Sequence, residues 1–158
     1  MNAPARDQGA SGYRIAIVRE IIDPAAVLAL VRDPADGAVL LFLGKVRDHA
    51  EGRRVGGMRY EAYQPMAEKE LNAIVEEAAR QLGTDRIVVV HRVGDLAVGE
   101  VSVAIAVSSS HRGEAYQASR FIIEEVKKRL PVWKQEQYAD GEAAWVQGQT
   151  LEAIEDAR

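Results

Sequence analysis

The sequence predicts a single α+β domain with a mixed or antiparallel sheet, and three observations carry that expectation. Strand-like segments, either alternating or wholly apolar, are interspersed with three segments whose apolar residues recur at helical spacing, in the order β-α-β-β-α-β-β-α-β-β. Several strands follow one another directly, so hairpins as well as helical crossovers join them. The length, 158 residues, suits one domain, and no stretch rich in Pro, Gly or Ser divides it. The expected organisation is a flexible lead-in over 1–12, one folded domain over 13–147, and a helical or frayed tail over 148–158.

Tyr13 to Arg19 alternates and reads as a strand. Asp23-Pro24 then offers a cap followed by proline at the first helical position, and a short helix continues to Val31. A turn at Asp33-Pro34 leads into Ala38 to Leu43, apolar on both faces and so a central strand. Gly44 to Gly57 is cationic and Gly-rich and reads as a loop leaving that strand. Met58 to Tyr63 alternates. Gln64-Pro65 opens a long amphipathic helix to Leu82, with Leu71, Ile74, Val75 and Ala78 as its apolar stripe and Gly83 as its stop. Arg86 to Val93 and Val101 to Val107 are apolar strands expected to pair as a hairpin across the turn at Gly94 to Glu100. In the third helix Ala115, Ser119, Ile122, Val126 and Leu130 form the buried face, a serine of Ser108 to Ser110 can cap its start, and Pro131 ends it. Trp133 to Tyr138 and Ala143 to Val146 flank a tight turn at Asp140-Gly141, with Trp145 expected as a packing anchor.

Composition narrows the function classes. With 47% hydrophobic and 28% charged residues the chain reads as a soluble globular protein. A formal net charge of −4 argues against non-specific nucleic-acid binding, which shows as a basic excess. There is no cysteine, hence no disulfide, thiolate metal site or cysteine nucleophile on this chain. No apolar run approaches the ~20 residues of a membrane span, and the first residues have no signal-like apolar core, so a cytoplasmic location is expected. Nucleotide-hydrolase, dinucleotide and HExxH motifs are absent, and His49, His91 and His111 are not spaced as a metal set.

What remains is cationic and able to move protons. The segment Ser108 to Lys134 opens with a His-Arg pair at a helix start, where free N–H groups and the helix dipole favour an anion. It closes with Lys127 in the last turn and Lys134 beyond the proline. Arg47 lies three residues past the central strand. Arg47, His111 and Arg112 thus leave the C-terminal ends of two apolar strands, where ligand sites of sheet proteins form. Arginine suits bidentate recognition of phosphate, and a lysine crowded by other cations can serve as acid, base or nucleophile. Lys127 has a structural reading too, as a favourable charge at a helix C-terminus. His91, alone within a strand, reads as a structural residue.

Five blocks carry a resemblance: GKVRDH (Gly44 to His49), YEAY-PMAEKEL (Tyr60 to Leu71), VVVHRVGDLAVGE (Val88 to Glu100), SSSHRGEAYQA (Ser108 to Ala118) and VKKRLPVWK (Val126 to Lys134). In order and spacing they resemble the large, catalytic subunit family of molybdopterin synthase, over about residues 13 to 147. The resemblance implies an α/β-hammerhead-type fold with additional antiparallel sheet, the span 13–147 being the catalytic domain. It implies a sulfurtransferase of molybdenum cofactor biosynthesis that turns cyclic pyranopterin monophosphate into molybdopterin. The two sulfurs would come from the C-terminal Gly-Gly thiocarboxylate of a small ubiquitin-like subunit, in a heterotetramer built on a homodimer of the large one, with no cofactor or metal. It carries catalytic roles to Lys127 and Lys134, and binding of the anionic phosphate and pterin end to Arg47, His111 and Arg112. One departure stands out. The family's basic residue after the C-terminal tryptophan, which reaches the neighbouring subunit's pocket, has no counterpart in Val146-Gln147-Gly148-Gln149.

Two other readings use the same cationic mouth: a non-catalytic phospholigand- or partner-binding α+β domain, and an acid/base enzyme acting on another anionic metabolite. The first makes no demand on Lys127 and Lys134.

Overall fold

The computed structural model describes residues 6–7, 13–84 and 86–146; the expected tail over 148–158 lies outside the described residues. Ten strands and three helices are described: β1 (Arg6–Asp7), β2 (Tyr13–Val18), α1 (Pro24–Ala29), β3 (Ala38–Lys45), β4 (His49–Ala50), β5 (Arg53–Ala62), α2 (Gln64–Leu82), β6 (Arg86–Arg92), β7 (Gly94–Ala97), β8 (Val101–Ser109), α3 (Arg112–Arg129), β9 (Val132–Tyr138) and β10 (Ala143–Val146). They form the α+β, hammerhead-type architecture, with two sheets.

The first sheet runs β1-β2-β6-β8-β3. It is mixed, since β2 lies parallel to β6 while β6–β8 and β8–β3 are antiparallel. The expected hairpin between the two apolar strands is present, with Arg86 opposite Ser108 and His91 opposite Val103. Both faces of these strands are covered, which explains why they read as unbroken apolar runs. On one face Ile87, Val89, Ile105 and Val107 meet α2 and α3; on the other Val88, Val90, Ala104 and Ala106 meet Val27 of α1 with Ile22 and Val31.

The helices follow their stripes. Asp23 Oδ1 accepts a hydrogen bond from Ala25 N–H at 3.0 Å and caps α1 ahead of Pro24. Leu71, Ile74, Val75 and Ala78 of α2 are fully buried, and Gly83 ends the helix in the left-handed region at φ 71°. In α3, Ala115, Ala118, Ser119, Ile122 and Val126 are buried. Arg129 ties α3 to α2, donating to Glu70 at 2.7 Å and to Glu77 at 2.6 Å. Ile122 lies just over one turn before Lys127 and is 0% exposed. Ile122→Ala is expected to cost about 2–5 kcal/mol through lost burial and a residual cavity, read as a lower denaturant midpoint at unchanged slope.

The second sheet runs β10-β9-β5-β4, with β7 also paired to β5. Here the structure corrects the reading of Gly44 to Gly57 as a loop. β3 continues to Lys45, and β4 and β5 make a hairpin with Ala50 opposite Arg53. Glu51 and Gly52, at φ 47° and 79°, form its two-residue turn, a conformation matched to the twist of paired strands. The arginine excess has a structural account at two positions. Arg53 donates to Asp140 at 3.1 Å and Glu142 at 2.9 Å and lies 3.5 Å over the Tyr138 ring, fastening β5 to the β9–β10 turn. Arg59 pairs with Asp95 at 2.8 Å across β5 and β7.

Two further expectations change. No serine caps α3: Ser108 and Ser109 are buried in β8, opposite Val39 and Ala38, so the helix begins at Arg112 with His111 as its cap residue and no side-chain cap bond. Trp145 is no core anchor. It is 53% exposed on β10, whose partner β9 covers only one of its edges.

Candidate functional site

The site forms where the two sheets meet the C-terminal end of α3. Gly44 lets β3 pass close to β8, since a Cβ there would sit 2.7 Å from a Val103 methyl. The register shifts at Gly44/Lys45 and the chain leaves the sheet. Val46 is buried and pinned by two backbone bonds, its N–H to Glu100 C=O at 3.0 Å and its C=O from Gly99 N–H at 2.8 Å. Arg47 therefore projects from a fixed point rather than a free loop. The Val88 to Glu100 block builds that point. Arg92 is buried, donates to Arg19 C=O at 3.0 Å and pairs with Glu100, which also accepts from Ala97 N–H at 3.0 Å.

From the other side, α3 brings Lys127 in its last turn, and β9 brings Lys134. Register decides what Lys134 meets: it lies opposite Tyr60 of β5, and Glu136, two residues on, shares its face. The result is a cleft of two adjoining hollows. One, about 310 Å³, is lined by His91, Val126, Leu130 and Val132. The other, about 170 Å³, is lined by Lys45, Arg47, His49 and Glu136. Tyr60, Ser102, Val103, Ile123, Lys127 and Lys134 line both.

The electrostatics are those of an anion site with a tunable amine. Burial holds the Lys134 ammonium below the usual lysine range, and the Lys127 and Arg47 charges push the same way against Glu136. Burial pushes the Tyr60 phenol up. His91 is driven down to about 4 by burial, with the Lys127 charge adding to it. Five cationic or basic side chains face one carboxylate here, though the chain as a whole is acidic.

Of the residues singled out from sequence, Arg47, Lys127 and Lys134 come together in this cleft. His111 and Arg112 do not join them within the chain. They are exposed at the start of α3, Arg112 fifteen residues before Lys127 and so about 22 Å away along the helix axis, with His111 one residue further. Sequence reasoning left out Tyr60, Ser102 and Glu136, and set His91 aside. Among the described residues no group of three His, Asp or Glu is placed to hold a metal ion, and no helix is long and apolar enough to cross a membrane.

Fold and cleft together define an α+β domain that gathers lysines and an arginine around a concave, partly apolar site for an anionic ligand. The chain belongs to the MoaE protein family, whose model matches residues 17–129. A molybdopterin synthase catalytic subunit from Oryza sativa subsp. indica is 47% identical over 121 residues, covering 77% of this chain. The chain spans only 63% of that relative's length. The molybdopterin synthase catalytic subunit of Halalkalibacterium halodurans is 42% identical over 139 residues, 88% of each chain. The crystal structure of molybdopterin synthase from Staphylococcus aureus superposes with a TM-score of 0.77 at 40% identity, covering 84% of this chain and 96% of that one.

Proposed function

We propose that this chain is the catalytic subunit of a molybdopterin synthase, acting as a sulfurtransferase in the cytoplasm. It converts cyclic pyranopterin monophosphate to molybdopterin with sulfur delivered by the C-terminal thiocarboxylate of a small ubiquitin-like subunit. The observation that carries the reading is the convergence of Arg47, Lys127 and Lys134 on one cleft, with Lys134 half-buried and its ammonium depressed. A domain that only bound a phosphorylated ligand would need the charges but not a lysine held toward its neutral amine.

The roles follow from position. Thiocarboxylate and phosphate are both anions, and the cleft concentrates positive charge against partly apolar walls, where its field is stronger than in bulk solution. Arg47, on its pinned strand end, holds the phosphate and pterin end. Lys127 stands at the reacting carbons. It moves protons there and stabilises the oxyanion that forms when water adds to the carrier's acyl carbon, before the carbon–sulfur bond breaks to leave the sulfur on the substrate and a carboxylate on the carrier. Lys134 orients the substrate and exchanges protons through its depressed amine. His111 and Arg112, a helix length away, serve the same ligand from a second copy of the chain in a homodimer, the centre of the heterotetramer.

The test is reconstitution with cyclic pyranopterin monophosphate and a thiocarboxylated small subunit, with molybdopterin followed as its oxidised fluorescent derivative. Product that requires the thiocarboxylate is expected. A partner that binds while no product forms overturns the reading in favour of a non-catalytic binding domain.

A further inference from the structure

His111 and Arg112 serve the anionic ligand in the function proposed above, yet both are exposed, and no side-chain bond caps α3 at His111. Their place is set by the backbone just before them, and that backbone rests on Gly37. A Cβ on Gly37 would lie 2.9 Å from the Ser110 carbonyl oxygen and 4.0 Å from its carbon. A contact of 2.9 Å is too short for a Cβ, and a peptide oxygen cannot swing aside as the end of a long side chain does. Backbone freedom is not what this glycine supplies, since its φ lies outside the left-handed region. What the fold uses is the missing side chain.

The chain on either side of this contact is held. Before Gly37, the turn over 33–36 is closed by Ala35 N–H to Asp33 Oδ1 at 2.8 Å and Asp36 N–H to Asp33 C=O at 3.1 Å. The buried Asp36 carboxylate accepts from Ser108 Oγ at 2.6 Å. After Gly37, Ala38 pairs with Ser109 and Val39 with Ser108, whose C=O also accepts from Thr84. Further along α3, Ala115 and Ala118 are 0% exposed and seat the helix in the core. Between these anchors lie residues 110–113, exposed throughout.

We propose that Gly37 is a positioning residue, whose close contact with the Ser110 carbonyl sets where His111 and Arg112 stand at the start of α3. A side chain at position 37 pushes the Ser110–His111 peptide away from β3. The displacement falls on residues 110–113, because the chain before and after them is anchored. A misplacement of about 1 Å in a preorganised site costs up to about 100-fold in rate.

The effect on turnover rests on the proposed function; the displacement does not, and the experiment separates them. In ¹H–¹⁵N spectra of the intact chain, Gly37→Ala is expected to move the amide resonances of Arg112 and Gly113, which lie beyond the direct contact. Those of Val126, Lys127 and Lys134 should stay in place. Unmoved resonances at Arg112 and Gly113 overturn the inference. So does a variant that fails to fold, since the strain then falls on the sheet. In the reconstituted reaction Gly37→Ala should lower kcat/KM for cyclic pyranopterin monophosphate by about 10- to 100-fold. In a His111→Ala/Arg112→Ala background the same substitution should change kcat/KM by less than about twofold, because residues that act through one another are not additive. Wild-type kcat/KM in Gly37→Ala, or an equal loss in both backgrounds, overturns the role. A wild-type chain that forms no product removes the proposed function, and the amide spectra alone then decide the displacement.

Discussion

Lys127→Ala is expected to reduce molybdopterin formation to background, in a protein that remains folded and still binds the small subunit. Two effects are lost together. A donor aimed at a developing oxyanion is worth about 10²- to 10³-fold in kcat, and a positioned proton donor or acceptor contributes about 10²- to 10⁴-fold. Their product removes any turnover a fluorescence assay can follow. Stability should be nearly untouched. Lys127 is exposed at the last turn of α3 and makes no ion pair among the described residues, and surface substitutions of that kind fall within about 0.5 kcal/mol. Lys127→Arg keeps the charge but broadens it into a planar fork that neither transfers protons readily nor fits a single acceptor. It should bind substrate and turn over poorly. Turnover of Lys127→Ala within tenfold of the wild type, at equal melting temperature, would remove Lys127 from the chemistry and leave the cleft as a binding site.

The parts of this site that were legible in the sequence are those set by local spacing. The seven-residue step from Lys127 to Lys134, broken by Pro131, places one lysine on the last helical turn and the other on the strand after it, and both reach the cleft. The stripes of α2 and α3 declare their buried faces in the same way. What the sequence hid is what register decides. Tyr60 meets Lys134 because β5 pairs with β9 across more than seventy residues of chain, and no pattern in either strand announces that pairing. Ser102 and His91 are hidden for the same reason, each sitting in a run whose apolar character reads as core. The serines before α3 illustrate the reverse error. Ser-rich junctions favour caps, but pairing with β3 carries β8 two residues further than its apolar run and draws Ser108 and Ser109 into the sheet. His111 and Arg112 read as neighbours of Lys127 because one segment holds them all, yet a helix is rigid and keeps its two ends apart.

Asp36→Ala is expected to cost about 1–3 kcal/mol, the range for leaving hydrogen-bond partners unsatisfied, since Arg86 is 31% exposed and keeps Asp33 at 3.9 Å. In a domain of this size that lowers the melting temperature by roughly 5 °C. The Asp36 side chain is fully buried and holds three elements. It pairs with Arg86 at the start of β6 and accepts from Ser108 Oγ, at the end of β8, at 2.6 Å. Thr84 Oγ1 in turn donates to Ser108 C=O at 2.7 Å. Without Asp36 the Arg86 guanidinium loses its buried partner and the Ser108 hydroxyl its acceptor, just where β8 hands over to α3. The Arg86 hydrogen bond is the main reason the Asp36 carboxyl lies below the usual aspartate range, outweighing the burial that opposes it. A depressed carboxyl binds its proton in the unfolded chain first. The stability it confers is therefore complete above the unfolded value of about 4 and is lost as pH falls through the folded one. Asp36→Asn keeps an acceptor for Ser108 and removes the charge, so it should be less stable than the wild type at neutral pH, by less than the alanine variant. The gap between wild type and Asp36→Asn should then narrow as pH falls below about 4. Denaturant titrations of both proteins from neutral to acid pH measure it, and a gap that stays constant would mean that the charge pair with Arg86 adds nothing. Asp36 lies at the α3 end that carries His111 and Arg112, so turnover per folded molecule reads whether this network also sets those two residues: an unchanged kcat makes it purely structural, and a fall in kcat with full folding ties it to the chemistry.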